Sequence, residues 1–195
     1  MTAELIELEA PPDGWTTDDL DALPESHQRH ELIDGALVVS PSPTNMHQTI
    51  AARLVVALEE SCPPEYDVTQ AVEIRISKRR SFIPDVLVTT AEAAARQPSK
   101  FAPHEVVIAV EVVSPTSVTI DQVTKSALYA QAGIPYYWLV DTLRGIAVHA
   151  YRLDARQGIY RPAGHFTERL KLSEPWDIDI PLSRITPRHY RPAAE

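Results

Sequence analysis

One unbroken apolar run with a single acid in it, Val106-Val107-Ile108-Ala109-Val110-Glu111-Val112-Val113, constrains this chain more than any other stretch. It is mostly β-branched and has the length of a strand. It is also apolar at both even and odd positions, which predicts a central strand covered on both faces. A carboxylate is costly there, because burying an ionised carboxylate without a partner costs several kcal/mol even after relaxation. A second acid, Asp85, sits in a similar run, Phe82-Ile83-Pro84-Asp85-Val86-Leu87-Val88. Either a cation, a metal ion or a functional need offsets the cost, or each acid lies at a strand end in solvent.

The rest of the chain gives these strands an ordinary globular setting. Its 195 residues suffice for one domain with a sizeable core, and 44% hydrophobic with 23% charged residues is typical of globular proteins. The single cysteine, Cys62, allows no internal disulfide. The start, Met1-Thr2-Ala3-Glu4-Leu5-Ile6-Glu7, has neither the basic segment nor the long apolar segment of a signal peptide. No apolar run approaches the roughly 20 residues that span a bilayer. The expectation is a cytoplasmic protein with no membrane partner. A formal net charge of -9 argues against a non-specific nucleic-acid coat protein, but not against an enzyme that meets DNA through a local basic strip.

Read in order, residues 1–27 are expected to form an arm with a short helix, capped by Thr16 or Thr17 and running through Leu23. A single domain is expected over 28–185, followed by a tail over 186–195. Asp34-Gly35 between apolar segments predicts a hairpin. Thr44 or Asn45 caps a helix to about Glu60, with Ile50, Ala51, Leu54 and Leu58 on its apolar stripe. Tyr66 to Ile76 reads as one strand, and Ser81 to Thr89 as the strand carrying Asp85. Glu105 to Val113 is the central strand. A helix follows from about Thr119 to Ala132, with Gly133 as its stop. Tyr136 to Val140, Ile146 to Leu153 and shorter strands to about Leu172 complete a mixed α/β pattern.

If the strands of Asp85 and Glu111 are neighbours, their carboxylates converge on one hard cation. Mg²⁺ suits such a site, taking one or two carboxylates and completing its octahedron with water and substrate phosphate; Mn²⁺ is the alternative ion. A positive side chain beside them would hold the phosphate. A strand pattern Glu-x-Lys would supply it, but the third position here is Val113, and the nearest downstream lysine is Lys125. On a helix Ile120, Val123, Ala127 and Ala130 form one apolar stripe, while Lys125 falls on another side with Asp121, Leu128 and Tyr129. Lys125 is then either a helix-borne replacement for the strand lysine, with its ammonium within roughly 8 Å of the acids, or an exposed i,i+4 partner of Asp121.

Pro84-Asp85, Glu111-Val112-Val113-Ser114-Pro115-Thr116, Asp121, Lys125, Tyr129, Gly133-Ile134-Pro135 and Tyr137-Trp138-Leu139-Val140-Asp141 together resemble the Uma-two family, described as putative restriction endonucleases. Glu31-Leu32-Ile33-Asp34-Gly35, Ser40-Pro41 and His47 match the opening of that family, and the resemblance covers about residues 28 to 185. The family belongs to the PD-(D/E)xK nuclease superfamily. The resemblance implies a restriction-endonuclease-like α/β fold, a central mixed β-sheet flanked by helices, with Mg²⁺ dependence and hydrolysis of DNA phosphodiesters. It implies Asp85 and Glu111 as metal ligands, the Val112 carbonyl as a third, Lys125 as the lysine moved onto the helix, and Glu31 as an auxiliary acid.

Other residues carry less. Glu31 read alone is as much a solvated strand residue, and His47 reads more as a half-buried histidine at a helix start than as a ligand. Arg75, Lys78, Arg79 and Arg80 fit either phosphate contacts or a solvated hairpin tip. Tyr136-Tyr137-Trp138 reads as core or subunit interface. No zinc spacing, phosphate-binding glycine loop or Gly-x-Ser-x-Gly elbow occurs. The leading expectation is a homodimeric DNA endonuclease, since one small domain needs a partner to cut both strands and twofold dimers are the commonest oligomers. Two alternatives stay open: a catalytically idle DNA-binding or protein-interaction domain of the same fold, and a metal phosphodiesterase acting on a small nucleotide.

Overall fold

The computed structural model describes residues 10–24, 28–114 and 119–191. Pro115, Thr116, Pro192 and the first nine positions of the expected arm lie outside the described residues.

Caps and turns lay out the first half of the chain. Thr16 caps α1 (Thr17–Ala22) in a capping box: its hydroxyl accepts from the Asp19 N–H, and the Asp19 carboxylate accepts from the Thr16 N–H at 2.8 Å. Trp15 and Thr17 are buried, and their N–H groups donate to the carbonyls of Gly35 and Lys78, each at 2.8 Å. The described part of the arm is therefore pinned to two hairpin turns. The strands β1 (Arg29–Ile33) and β2 (Ala36–Ser40) pair across Asp34 and Gly35. Both turn residues have positive φ, 50° and 86°, the geometry that a two-residue hairpin favours. Thr44 caps α2 (Asn45–Glu59), which buries Ile50, Ala51, Leu54 and Leu58 as their spacing predicts.

Two expected single strands are each broken in two. Tyr66 to Ile76 divides into β3 (Tyr66–Thr69) and β4 (Glu73–Ser77), which join different sheets. The break includes Ala71 in the left-handed region at φ 55°, which bends the chain away from its first sheet. Ser81 to Thr89 divides into β5 (Arg80–Phe82) and β6 (Val86–Thr90) around Pro84, which lacks the N–H a ladder needs. Asp85 thus lies just before β6 and not inside a strand.

The chain continues through α3 (Ala91–Ala95), β7 (Lys100–Phe101) and β8 (Val106–Val112). Every residue of β8 is buried, as a strand covered on both faces requires. The expected helix after it opens with a π-helical turn over Ile120–Lys125 and continues as α4 (Ser126–Gln131). Gly133 ends it at φ 83°. Then follow β9 (Tyr136–Asp141), β10 (Ala147–Asp154), β11 (Ile159–Phe166) and β12 (Arg169–Leu172). A last strand and helix turn, β13 (Ile178–Pro181) and α5 (Leu182–Ile185), were not anticipated in the proline-rich end.

The larger sheet has the order β11-β10-β9-β8-β6-β3 and is mixed. Its β8 and β9 are parallel, so the helical segment between them is the crossover that parallel pairing needs. A second sheet has the order β2-β1-β5-β4-β7, and β12 pairs with β13. One face of the larger sheet, with Val86, Val88, Val110, Val112 and Trp138, packs on α2, β13 and α5. The opposite face, with Leu87, Ala109, Val113, Tyr137 and Leu139, packs on α4 and on Ile74 and Phe82 of the second sheet. Each fully buried Leu, Ile or Val in these layers contributes about 1.5–3 kcal/mol.

Candidate active site

The two acids come together. Asp85 adjoins Val86, Val86 pairs with Val110, and Glu111 is the next residue on the neighbouring strand. Along each strand they alternate with Val86 and Val110, so the period of two places both on the face of Leu87 and Ala109. Both are buried, which excludes the alternative of acids at solvated strand ends.

Among the described residues, three donors hold Asp85. Arg29 Nη1 lies 2.6 Å from Oδ1, while the Val112 N–H at 2.8 Å and His47 Nε2 at 3.0 Å meet Oδ2. Burial penalises the charged carboxylate, but His47, Arg29 and the Val112 amide outweigh it and hold Asp85 below the usual carboxylate range. Val112 meets Asp85 through its N–H, and His47 is set there by the first turn of α2.

Glu111 meets a different group of donors. Lys125 Nζ lies 3.1 Å from its Oε1, and the Tyr129 hydroxyl donates to the same oxygen at 3.0 Å. Lys125 also donates to Glu31 Oε1 at 2.9 Å and sits 3.7 Å from Asp121 Oδ1. Glu31 is 3% exposed and accepts the Ile83 N–H at 2.7 Å, so it is a member of the buried cluster and not a solvated strand residue. Phe82 lies under the ammonium, 5.9 Å from ring centre to Nζ. Burial works against a charged lysine, but Glu111, Glu31 and Asp121 overcome it and hold Lys125 above its ordinary value. One ammonium among three carboxylates does not neutralise them all. Burial first, with the charges of Asp85, Asp121 and Glu31 added, pushes Glu111 well above its ordinary value despite Lys125.

Lys125 reaches this position because the helix packs the opposite way from its apolar stripe. Val123 is 63% exposed and Ala127 is exposed, while Asp121, Lys125, Leu128 and Tyr129 are buried. The buried set keeps helical spacing, i, i+4, i+7 and i+8, through the π-helical turn over Ile120–Lys125, and Ala130 of the apolar stripe is buried beside it. Tyr137 steadies the turn by donating to the Asp121 carbonyl at 2.7 Å. The Asp121–Lys125 pair exists, but inside the cluster and not on an exposed face.

Arg29 and Tyr129 are the site residues that sequence reasoning missed. Arg29 lies two positions before Glu31, so the strand period would have put it on the same face. Tyr129 lies one helical turn after Lys125. The basic turn stands apart from the cluster: Arg75 pairs with Asp21 and Glu73, Arg80 with Asp34 and Gln131, and Arg79 packs against Gly35. Tyr137 and Trp138 are core residues. No helix among the described residues is long and apolar enough to cross a membrane.

Comparisons with known proteins bear on the fold and the family. The chain is similar in structure to a putative nuclease of the family DUF820 from Anabaena variabilis. The TM-score is 0.69 at 18% sequence identity, and the match covers 87% of this chain and 96% of the other. At that identity the likeness shows a shared fold, which is the mixed sheet flanked by helices expected from the sequence. No curated protein matches the chain. The family Uma2, described as "Putative restriction endonuclease", matches residues 17–183, a span containing every residue of the acidic cluster, and the chain belongs to that family.

Proposed function

We propose that the protein is a divalent-metal-dependent DNA endonuclease, with Mg²⁺ as the ion and Mn²⁺ as its substitute. The observation that carries this reading is the meeting of Asp85, at the entry to β6, with Glu111 on the adjacent β8, beside a buried lysine from the next helix. The donor set fits a hard divalent cation. The four carboxylates Asp85, Glu111, Asp121 and Glu31 share two cations, Lys125 against the last three and Arg29 against Asp85, which leaves negative charge for a further cation to balance. Among the described residues no three His, Cys, Asp or Glu side chains converge as a ready-made metal cage. Mg²⁺ needs none, because it keeps several waters and takes one or two carboxylates.

Asp85 and Glu111 would hold the ion, with the Val112 carbonyl as a third ligand. The bound ion supplies Lewis-acid stabilisation of a phosphate and an activated water. The protein's own part is positional and electrostatic. Tyr129 and Lys125 fix the Glu111 carboxylate, and the Val112 N–H and His47 fix that of Asp85. Lys125 keeps a positive charge where Val113 cannot provide one, and Glu31 holds Lys125 and the Ile83 backbone together. The reaction is hydrolysis: water adds to phosphorus, one phosphorus–oxygen ester bond breaks, and a phosphate monoester and a hydroxyl group are formed.

The test is incubation of plasmid, linear duplex, single-stranded DNA and a cyclic dinucleotide with the protein and Mg²⁺ or Mn²⁺. Metal-dependent cutting of DNA, abolished in Glu111→Gln, supports the reading. Hydrolysis of the dinucleotide alone favours a small-nucleotide phosphodiesterase. Metal-independent DNA binding without cutting favours an idle domain.

A further inference from the structure

Two cations serve the acidic cluster, and they differ in freedom. The Lys125 side chain is 5% exposed and touches Glu31, Glu111 and Asp121. Its charge is committed, and moving it toward a substrate would strip three buried carboxylates of their partner. The Arg29 side chain is 24% exposed and, among the described residues, contacts one carboxylate, through Nη1 to Asp85 Oδ1. Its other described contact is a long one, 3.5 Å to the Ile83 carbonyl.

The two oxygens of Asp85 differ in the same way. Oδ2 is held by the Val112 N–H and by His47, one fixed in the sheet and the other on the first turn of α2. Oδ1 is held by Arg29 alone among the described residues. It is therefore the oxygen that an incoming cation can take without disturbing the backbone. A guanidinium released from Oδ1 remains beside the cluster on a flexible stem, and its planar fork of donors matches a phosphate.

We propose that Arg29 is the phosphate-holding residue of this site, exchanging Asp85 Oδ1 for a non-bridging oxygen of the DNA phosphate when a divalent ion takes Asp85. Before substrate arrives, Arg29 balances the buried Asp85. Afterwards it meets the phosphate charge that the enclosed Lys125 does not reach. This rests on the metal-dependent reading above and adds a residue that the Asp85, Glu111 and Lys125 set lacks.

The exchange has a signature that a merely structural arginine does not. Arg29→Gln frees Oδ1 and removes a competing cation, so Mn²⁺ should bind several-fold to tenfold more tightly in calorimetry. The same variant should bind a short DNA duplex in Ca²⁺ about tenfold more weakly. At saturating Mn²⁺ it should cleave about 10²–10³-fold more slowly, the range for losing one transition-state donor. Arg29→Lys keeps the charge without the fork, so its cleavage should fall between that of the parent and that of Arg29→Gln. Unchanged or weaker Mn²⁺ binding in Arg29→Gln overturns the proposal, as does cleavage at the parent rate. If the parent itself does not cut DNA, the nuclease reading fails, and the Mn²⁺ and duplex affinities still decide whether Arg29 trades a carboxylate for a phosphate. If Arg29→Gln does not fold, Arg29→Lys decides: parent-rate cleavage with parent Mn²⁺ affinity overturns the proposal.

Discussion

Replacing Lys125 with methionine keeps the apolar stem and deletes the charge. The sequence left this lysine either beside the acids or exposed next to Asp121, and its surroundings decide for the buried position. Its ammonium is buried against Glu31 at 2.9 Å and Glu111 at 3.1 Å, with Asp121 at 3.7 Å. Removing one partner of a buried ion pair costs about 3–5 kcal/mol. Against a total stability of roughly 5–15 kcal/mol that is a large fraction. For a domain of this size it lowers the melting temperature by roughly 6–20 °C. The loss should grow with pH. Without the ammonium the neutral carboxyl forms are favoured further in the fold, so stability falls as pH rises above the carboxyls' unfolded values. Denaturant titration at pH 5.5 and pH 8, with equal slopes for parent and variant, measures the effect. Adding Glu111→Gln to Lys125→Met should recover part of it, with a coupling of about 0.5–3 kcal/mol. A loss below about 1 kcal/mol at pH 8, the range of exposed pairs, together with no coupling to Glu111, would refute the buried cluster.

Further predictions concern neighbouring features. Tyr129→Phe removes the hydroxyl that donates to Glu111 at 3.0 Å and should destabilise the protein by about 1.5–3 kcal/mol in the same titration, the range for hydrogen bonds to charged groups; a neutral effect contradicts the contact. His149 and His165 stack face to face across β10 and β11 with ring centres 4.4 Å apart. Burial, followed by the proximity of His165, holds His149 below its ordinary value, so its neutral form stabilises the fold above pH 6.5 and that contribution is lost as pH falls through its folded value. The drop in melting temperature from pH 7.5 to pH 5 should therefore be smaller in His149→Gln than in the parent, and an equal drop refutes it. A homodimer remains our proposal, with light scattering expected to give about twice the 21.7 kDa chain mass; a mass near that of one chain rules it out.

Local chemistry in the sequence foretells much of this. Asp34-Gly35 admits little but a tight hairpin, Thr44 and the spacing of Ile50, Leu54 and Leu58 define α2, and the run from Val106 to Val112 has to be covered on both sides. The cost of burying Asp85 and Glu111 marks them as a pair before any coordinates exist. What stayed hidden depends on geometry that periodicity does not encode. Periodicity offered two sides of one helix, the stripe of Ile120, Val123, Ala127 and Ala130 and the side of Asp121, Lys125, Leu128 and Tyr129, and did not say that the second is the one covered. Alternation within Tyr66 to Ile76 does not say where a strand leaves one sheet for another. Arg29 was legible only once Glu31, two positions on, was known to face the cluster. The short β13 and α5 are fixed by packing Ile178, Ile180, Leu182 and Ile185 against the core shared with α2, a tertiary demand with weak local signal.

Cutting of supercoiled plasmid under a Mg²⁺ titration, with the parent protein beside Asp85→Asn and Glu111→Gln, tests the central claim most directly. The account predicts conversion to nicked and linear forms that needs the ion, stops with a chelator, and disappears in both variants while their circular dichroism stays that of the parent. Cutting that persists without the ion, or that survives either substitution, would place the chemistry somewhere other than the Asp85–Glu111 pair.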